Sequence, residues 1–344
     1  MGIKIGGDFV GKQIVSMLIW YNRCATPENS RGLDCDQRGT HSSVQGDLNM
    51  RDAVKFLLLP RLSEIDFSST TDVRGLVRER CRHLFNMAND GYIDEYMDAV
   101  EDLFTGRYPE YQPIDTAYHD ITHTLQATLC LVELIHNRHH TDSVPRITEH
   151  DFRRALVAVL FHDIGYLKKA GDLEGSGAKY THLHEQRSCE FARAFLEQRD
   201  WAEDDIRFIE NLISSTGPRV DLAHIEYRSE VERMLGQAVC TADYIGQMSD
   251  PNYPDRLEIL FNEFAESYRF QQIPLEEWPF VSYEALLHST PDFWNHFVKQ
   301  KLDNECAGIW AHLEHPVTGD NPYMKSVERN LAIVQERIAR MDNR

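Results

Sequence analysis

Apolar residues recur through most of the chain at the spacing of a single helix face. Val73, Leu76, Val77, Cys81 and Leu84 form one stripe, and Tyr96, Val100, Leu103 and Phe104 form another. After Thr148, the residues Phe152, Ala155, Leu156, Val159 and Leu160 fall at i, i+3, i+4, i+7 and i+8, which predicts a helix with one face in a core. Thr148 and Asp151 have the spacing of a capping box at its start. Later stripes run through Phe191 and Phe195, through Val231, Leu235, Val239 and Ala242, and through Val327, Leu331, Val334 and Ile338. Strand-like alternation and internal repeats are both missing. The pattern predicts an all-α protein with one multi-helix domain over 50–344, its helices joined by polar loops such as 168–181 and 216–230. Residues 22–49 are polar and turn-rich, so 1–49 read as a disordered leader, with Met50 as an alternative start.

Composition narrows the class. The 344 residues are 42% apolar and 10% aromatic, enough for a sizeable core. A formal charge of −19 gives no general attraction to a nucleic-acid polymer or an anionic membrane. The seven cysteines are scattered and never form C-x-x-C, which argues for a reducing compartment and against zinc-thiolate sites. No apolar run approaches the roughly 20 residues that span a bilayer. The stretch IVSMLIW (14–20), preceded by Lys4 and Lys12, faintly resembles a signal peptide but lacks a good cleavage site, and Gly6 breaks a myristoylation pattern. The expectation is a cytoplasmic protein. Its amphipathic C-terminal helix (325–341) either packs on its own core, the simpler reading, or mediates a homodimer.

Four places put metal-type ligands near inward helix faces. In Tyr118-His119-Asp120-Ile121-Thr122-His123, the two histidines are i and i+4 on one predicted helix, on a face that continues through Ala127, Cys130, Leu131 and Leu134. ALVAVLFHDIGY (155–166) drives an apolar helix into His162-Asp163, with Gly165 marking the helix end. The segment 181–188 carries His182 and His184, one of which is expected to face solvent or to support the site from outside. Asp243 hangs off the apolar face that includes Val239, where a lone carboxylate would be costly without a cation or histidine partner. Singly, each has a plainer reading: surface histidines, a capping aspartate, a carboxylate satisfied by backbone. Together they form an ordered set of imidazoles and carboxylates without thiolate, suited to Zn, Mn, Mg or Fe. A shared ion requires its ligands to converge within about 5 Å of one point, since ligand bonds run about 2.0–2.2 Å.

The ordered set Y-H-x3-H, LFHDIGY and a distal aspartate resembles the HD superfamily of metal-dependent phosphohydrolases. Within it, the sequence is similar to the class I cyclic nucleotide phosphodiesterase catalytic domain over about 115–300. The resemblance implies an all-α domain with two divalent ions (Zn, Mg or Mn, with Fe also suited) held by His123, His162, Asp163 and Asp243. It makes Asp163 the bridging ligand and His119 the general acid. Hydrolysis of a nucleotide or other small phosphoester would then proceed through a hydroxide shared by the ions. His184, or else His182, matches a histidine behind the ligands, and Phe297 in DFWNHFVKQ matches a base clamp. Two positions depart from the pattern: Asp120 replaces the usual asparagine, and Trp294 stands where a purine-selecting glutamine is expected. The cyclic-dinucleotide branch does not fit, because Tyr166 replaces its lysine and its downstream GYP is missing. Two other functions use the same scaffold: a di-iron oxygenase and a non-catalytic metal-binding sensor.

Overall fold

The computed structural model describes residues 59–86, 90–141 and 143–343, and among these it is helical throughout, with no strand. The expected leader, the apolar stretch 14–20 and the boundary at Met50 lie outside the described residues. No helix among the described residues is long and apolar enough to cross a membrane.

Among the described residues there are ten α-helices: α1 (Thr70–Phe85), α2 (Gly91–Thr105), α3 (Ile121–His139), α4 (Glu149–Phe161), α5 (His184–Glu197), α6 (Glu203–Ser214), α7 (Glu230–Met248), α8 (Tyr253–Phe270), α9 (Tyr283–Phe293) and α10 (Pro322–Asp342). Between α9 and α10 the chain runs through π-helical turns at Trp294–Val298 and Lys301–Glu305 and a 3₁₀ turn at Ile309–Leu313. The predicted stripes match these elements. Val73, Val77, Cys81 and Leu84 are buried on α1, and Tyr96, Val100, Leu103 and Phe104 on α2. The capping box at α4 is present in both directions, Thr148 Oγ1 accepting from Asp151 N and the Asp151 carboxylate from Thr148 N. On α10, Val327 and Val334 are buried against the core of the same chain, with Leu331 and Ile338 packed at its edge.

One expectation needs correction. The H-x3-H motif predicted a helix with one inward face, but α3 is buried all round from His123 to Arg138. It is the central helix, enclosed by α1, α4, α7 and the turn at 309–313. Its starting point also differs. Asp120 is the N-cap, its carboxylate accepting from His123 N, so His119 precedes the helix instead of sharing a face with His123. An aspartate suits this position because it satisfies one of the free amides of the first turn.

The densest packing is α3 against α7. Gly246 makes it possible, since a Cβ there would lie 2.9 Å from the Cα and N of Ala127. His123 and Asp243 sit about one turn before these two contact points, so this backbone approach sets the spacing of the ligands. Gly165 acts similarly. The sequence suggested a helix end, and α4 does end at Phe161, but the glycine serves close packing: a Cβ would stand 1.9 Å from the His184 carbonyl oxygen.

Gly165→Ala should therefore cost at least about 2 kcal/mol in urea unfolding, an overpacking penalty. Gly75→Ala, on α1 with open space around it, should stabilise by about 0.5–1 kcal/mol. Equal midpoints for the two variants would contradict the close approach at Gly165.

Candidate metal centre

Helix α4 delivers His162 as its C-cap, and the chain then turns through Asp163 into a 3₁₀ turn, Ile164–Tyr166. Ser188 on α5 fixes this corner, its Oγ donating to the His162 carbonyl (2.5 Å) and accepting from Gly165 N (2.9 Å). His162 Nδ1 donates to the Val159 carbonyl (2.7 Å), which leaves Nε2 as the face turned to the site. His123 comes from the first turn of α3 and Asp243 from α7.

These side chains meet. His123 Nε2 lies 3.1 Å from Asp163 Oδ2, 3.1 Å from Asp243 Oδ1 and 3.3 Å from His162 Nε2. His162 Nε2 is 3.3 Å from Asp163 Oδ2 and 3.6 Å from Asp243 Oδ1. His123, His162 and Asp243 each bring one donor atom within 4.8 Å of the others, and Asp163 touches both histidines. His162, His123 and Asp163 form the floor, while Asp243, 13% exposed, and His119, 14% exposed, lie nearer the surface.

Burial alone would drive the histidines neutral and the carboxylates protonated, but their mutual charges and hydrogen bonds prevail. His123 is pushed up to about 9 and His162 well above its ordinary range, against desolvation, by Asp163 and Asp243. Asp243 falls to about 2 and Asp163 well below the usual carboxylate range, again against desolvation, through the two histidines. A divalent cation fits this donor set of imidazole nitrogens and carboxylate oxygens. Asp163 Oδ2 and His123 Nδ1 are also buried without an aligned hydrogen-bond partner among the described residues.

His119 stands at the rim of this cluster, its ring centroid 5.6 Å from that of His123. Its Nδ1 donates to Glu263 Oε2 on α8 (2.6 Å), and the other oxygen of Glu263 accepts from Tyr118 N (2.6 Å). Tyr166 stacks on His119 at 4.4 Å and on His184 at 4.7 Å, and the two imidazoles lie 6.4 Å from each other. Arg256, also on α8, pairs with Asp120 at 3.1 Å and lies over the Tyr118 ring. The residue that departs from the phosphodiesterase pattern thus both caps α3 and anchors the motif to α8.

The two histidines of 181–188 are placed differently. His184 turns its Nε2 to 3.6 Å from Asp163 Oδ1, oriented by an Nδ1 hydrogen bond to the Thr181 carbonyl (2.7 Å). His182 remains half-buried outside this contact. Phe297 stacks on Phe293 (5.2 Å) and meets Tyr244, the neighbour of Asp243, edge-on at 6.3 Å. Trp294 is buried in the core. Glu263 and Arg256 escaped the sequence reading. Glu263 contacts His119 across 144 positions, and nothing in its own helix distinguishes it from Glu258 or Glu266.

The fold is similar to that of phosphodiesterase catalytic domains. The phosphodiesterase domain of the RhoPDE fusion protein from the choanoflagellate Salpingoeca rosetta matches with a TM-score of 0.52 at 15% identity, over 80% of this chain and 94% of that one. A second structure, the phosphodiesterase domain of Salpingoeca rosetta rhodopsin phosphodiesterase, matches with a TM-score of 0.53 at 14% identity, over 86% and 97%. The chain belongs to the Npun_R2479-like family, whose profile matches residues 82–308. No curated protein sequence matches it.

The protonated histidines give a pH test. His123 has a folded value of about 9 against an ordinary 6.5, so its contribution to stability is complete below 6.5 and is lost as pH rises through 9. The melting temperature of chelator-treated protein should fall over that interval, and His123→Asn should flatten the fall. An unchanged slope in the variant would show that His123 is not the group responsible.

Proposed function

We propose that the chain is a divalent-metal-dependent phosphodiesterase of the HD type, hydrolysing a small phosphoester such as a nucleotide. The observation that carries this reading is the convergence of His123, His162, Asp163 and Asp243 on one buried point, with a neighbouring histidine held by a carboxylate. The four would hold the ions, with Asp163 as the shared ligand. Such ions supply Lewis-acid stabilisation of phosphoryl charge and activate water. They would also offset the repulsion between an anionic substrate and a chain of charge −19.

His119 protonates the departing ester oxygen as its bond to phosphorus breaks. Glu263 takes the hydrogen bond from Nδ1 and so fixes which nitrogen faces the site. Tyr166 holds the ring plane by stacking. Phe297 offers an aromatic face near Asp243. With Trp294 sunk in the core, no carboxamide at that position selects a purine, so discrimination among bases should be weak.

The test is hydrolysis of cyclic nucleotides, bis(p-nitrophenyl) phosphate and phosphomonoesters by protein stripped with chelator and reloaded with Mn, Mg or Zn, together with bound-metal analysis. His162→Ala and Asp163→Ala should lose both metal and turnover. His119→Ala should keep metal and lose about 10²- to 10⁴-fold in rate, and Glu263→Gln should keep metal with a smaller loss. Full activity of Asp163→Ala, or turnover indifferent to chelation, would sink the assignment.

A further inference from the structure

A second group of histidines lies at the far end of α3. His136 is fully buried in the last turn of the helix, His140 is its C-cap, and His83 comes from the last turn of α1. His136 and His123 are thirteen residues apart on one helix, so the two groups are about 20 Å apart at 1.5 Å per residue. We propose that His83, His136 and His140 form a second metal site, for one borderline transition ion of the zinc class, independent of the first.

Geometry is the main argument. One nitrogen from each ring lies within 4.8 Å of the other two. The ring centroids form a near-equilateral triangle, with His83–His136 at 5.1 Å, His83–His140 at 4.9 Å and His136–His140 at 4.8 Å. A nitrogen bound at about 2.0–2.1 Å puts its ring centroid about 3.2 Å from the ion, and tetrahedral angles then separate centroids by about 5.2 Å. A hydrogen-bonded pair of histidines explains one short edge, and His83 Nδ1 does approach His136 Nε2 at 2.8 Å.

The surroundings also suit a cation. His136 Nδ1 faces Asn137 Oδ1 at 3.3 Å, which orients Nε2 inward much as Val159 orients His162. The carbonyls closing α3 lend partial negative charge to its end, which favours a positive ion there. Burial pushes His136 down to about 3 and His140 to about 4, so both rings are uncharged at neutral pH and do not themselves supply that charge. Three imidazoles without carboxylate or thiolate favour Zn, Co, Ni or Cu over Mg or Ca. One turn earlier on α3, the buried pair Arg80–Glu133 (2.6 Å) already ties α1 to α3, and the ion would fasten the ends of the same two helices.

The test isolates this site by removing the first. The full chain carrying Asp163→Asn and Asp243→Asn is titrated with zinc against a chromophoric chelator, and its melting temperature is followed. The expected result is one zinc per chain, a higher melting temperature with zinc, and a loss of affinity of more than about 100-fold on adding His83→Gln or His140→Gln. Both positions are half-buried, so glutamine is accommodated. Zinc binding unaffected by either substitution, or no binding at micromolar zinc, would overturn the proposal. X-ray absorption of the zinc-loaded double-asparagine protein decides the matter without further substitution. Scattering from three imidazoles is expected, and a shell without them would refute the site even if both glutamine variants failed to fold.

Discussion

Two carboxylates and two imidazoles share one buried place, and the rest of the molecule is arranged so that they can. An isolated carboxylate at that depth would be strongly destabilised. Asp163 and Asp243 tolerate burial because His123 and His162 lie within 3.1–3.6 Å and carry the compensating charge. That compensation needs three segments from distant parts of the chain to meet with little error: the start of α3, the end of α4 and the middle of α7. The glycine contacts, the serine at the α4 corner and the Glu263 bracket are the means by which they do so. Exchanging protons for a divalent ion changes the source of positive charge but not the geometry that demands it.

Much of this was legible in the sequence because it depends on local order. Apolar periodicity placed α1, α2, α4, α5, α7 and α10, and a side chain projecting from an apolar stripe marked Asp243. The His-Asp pair stood out because ionisable groups at the end of an apolar run need a partner. The less legible features depend on long-range packing. Burial of α3 on all sides follows from the helices around it, and its own residues, which include Thr124, Gln126, Glu133 and Arg138, do not announce a central helix. Glu263 and the group His83, His136 and His140 are joined across 53 or more positions, beyond the reach of any periodicity. The placement of His119 before the helix was misread because i, i+4 spacing fits a helix equally well whether it begins at 119 or at 121. Only the Asp120 cap separates the two.

The wider comparison bears on which parts of the fold are free to vary. At 14–15% identity to the choanoflagellate domains, the helical scaffold persists with most side chains changed. Trp294 buries a large indole in the hydrophobic core at the π-helical turn, and Asp120 both caps α3 and pairs with Arg256.

The enclosure of α3 also bears on motion. A helix with a solvent face can fray or bend toward water, and its amides exchange through small local openings. From His123 to Arg138 this one has no such face, so separating it from any neighbour exposes core. Its backbone should be among the last to exchange, opening only when the domain itself unfolds. Whatever binds near His123 therefore meets a rigid wall.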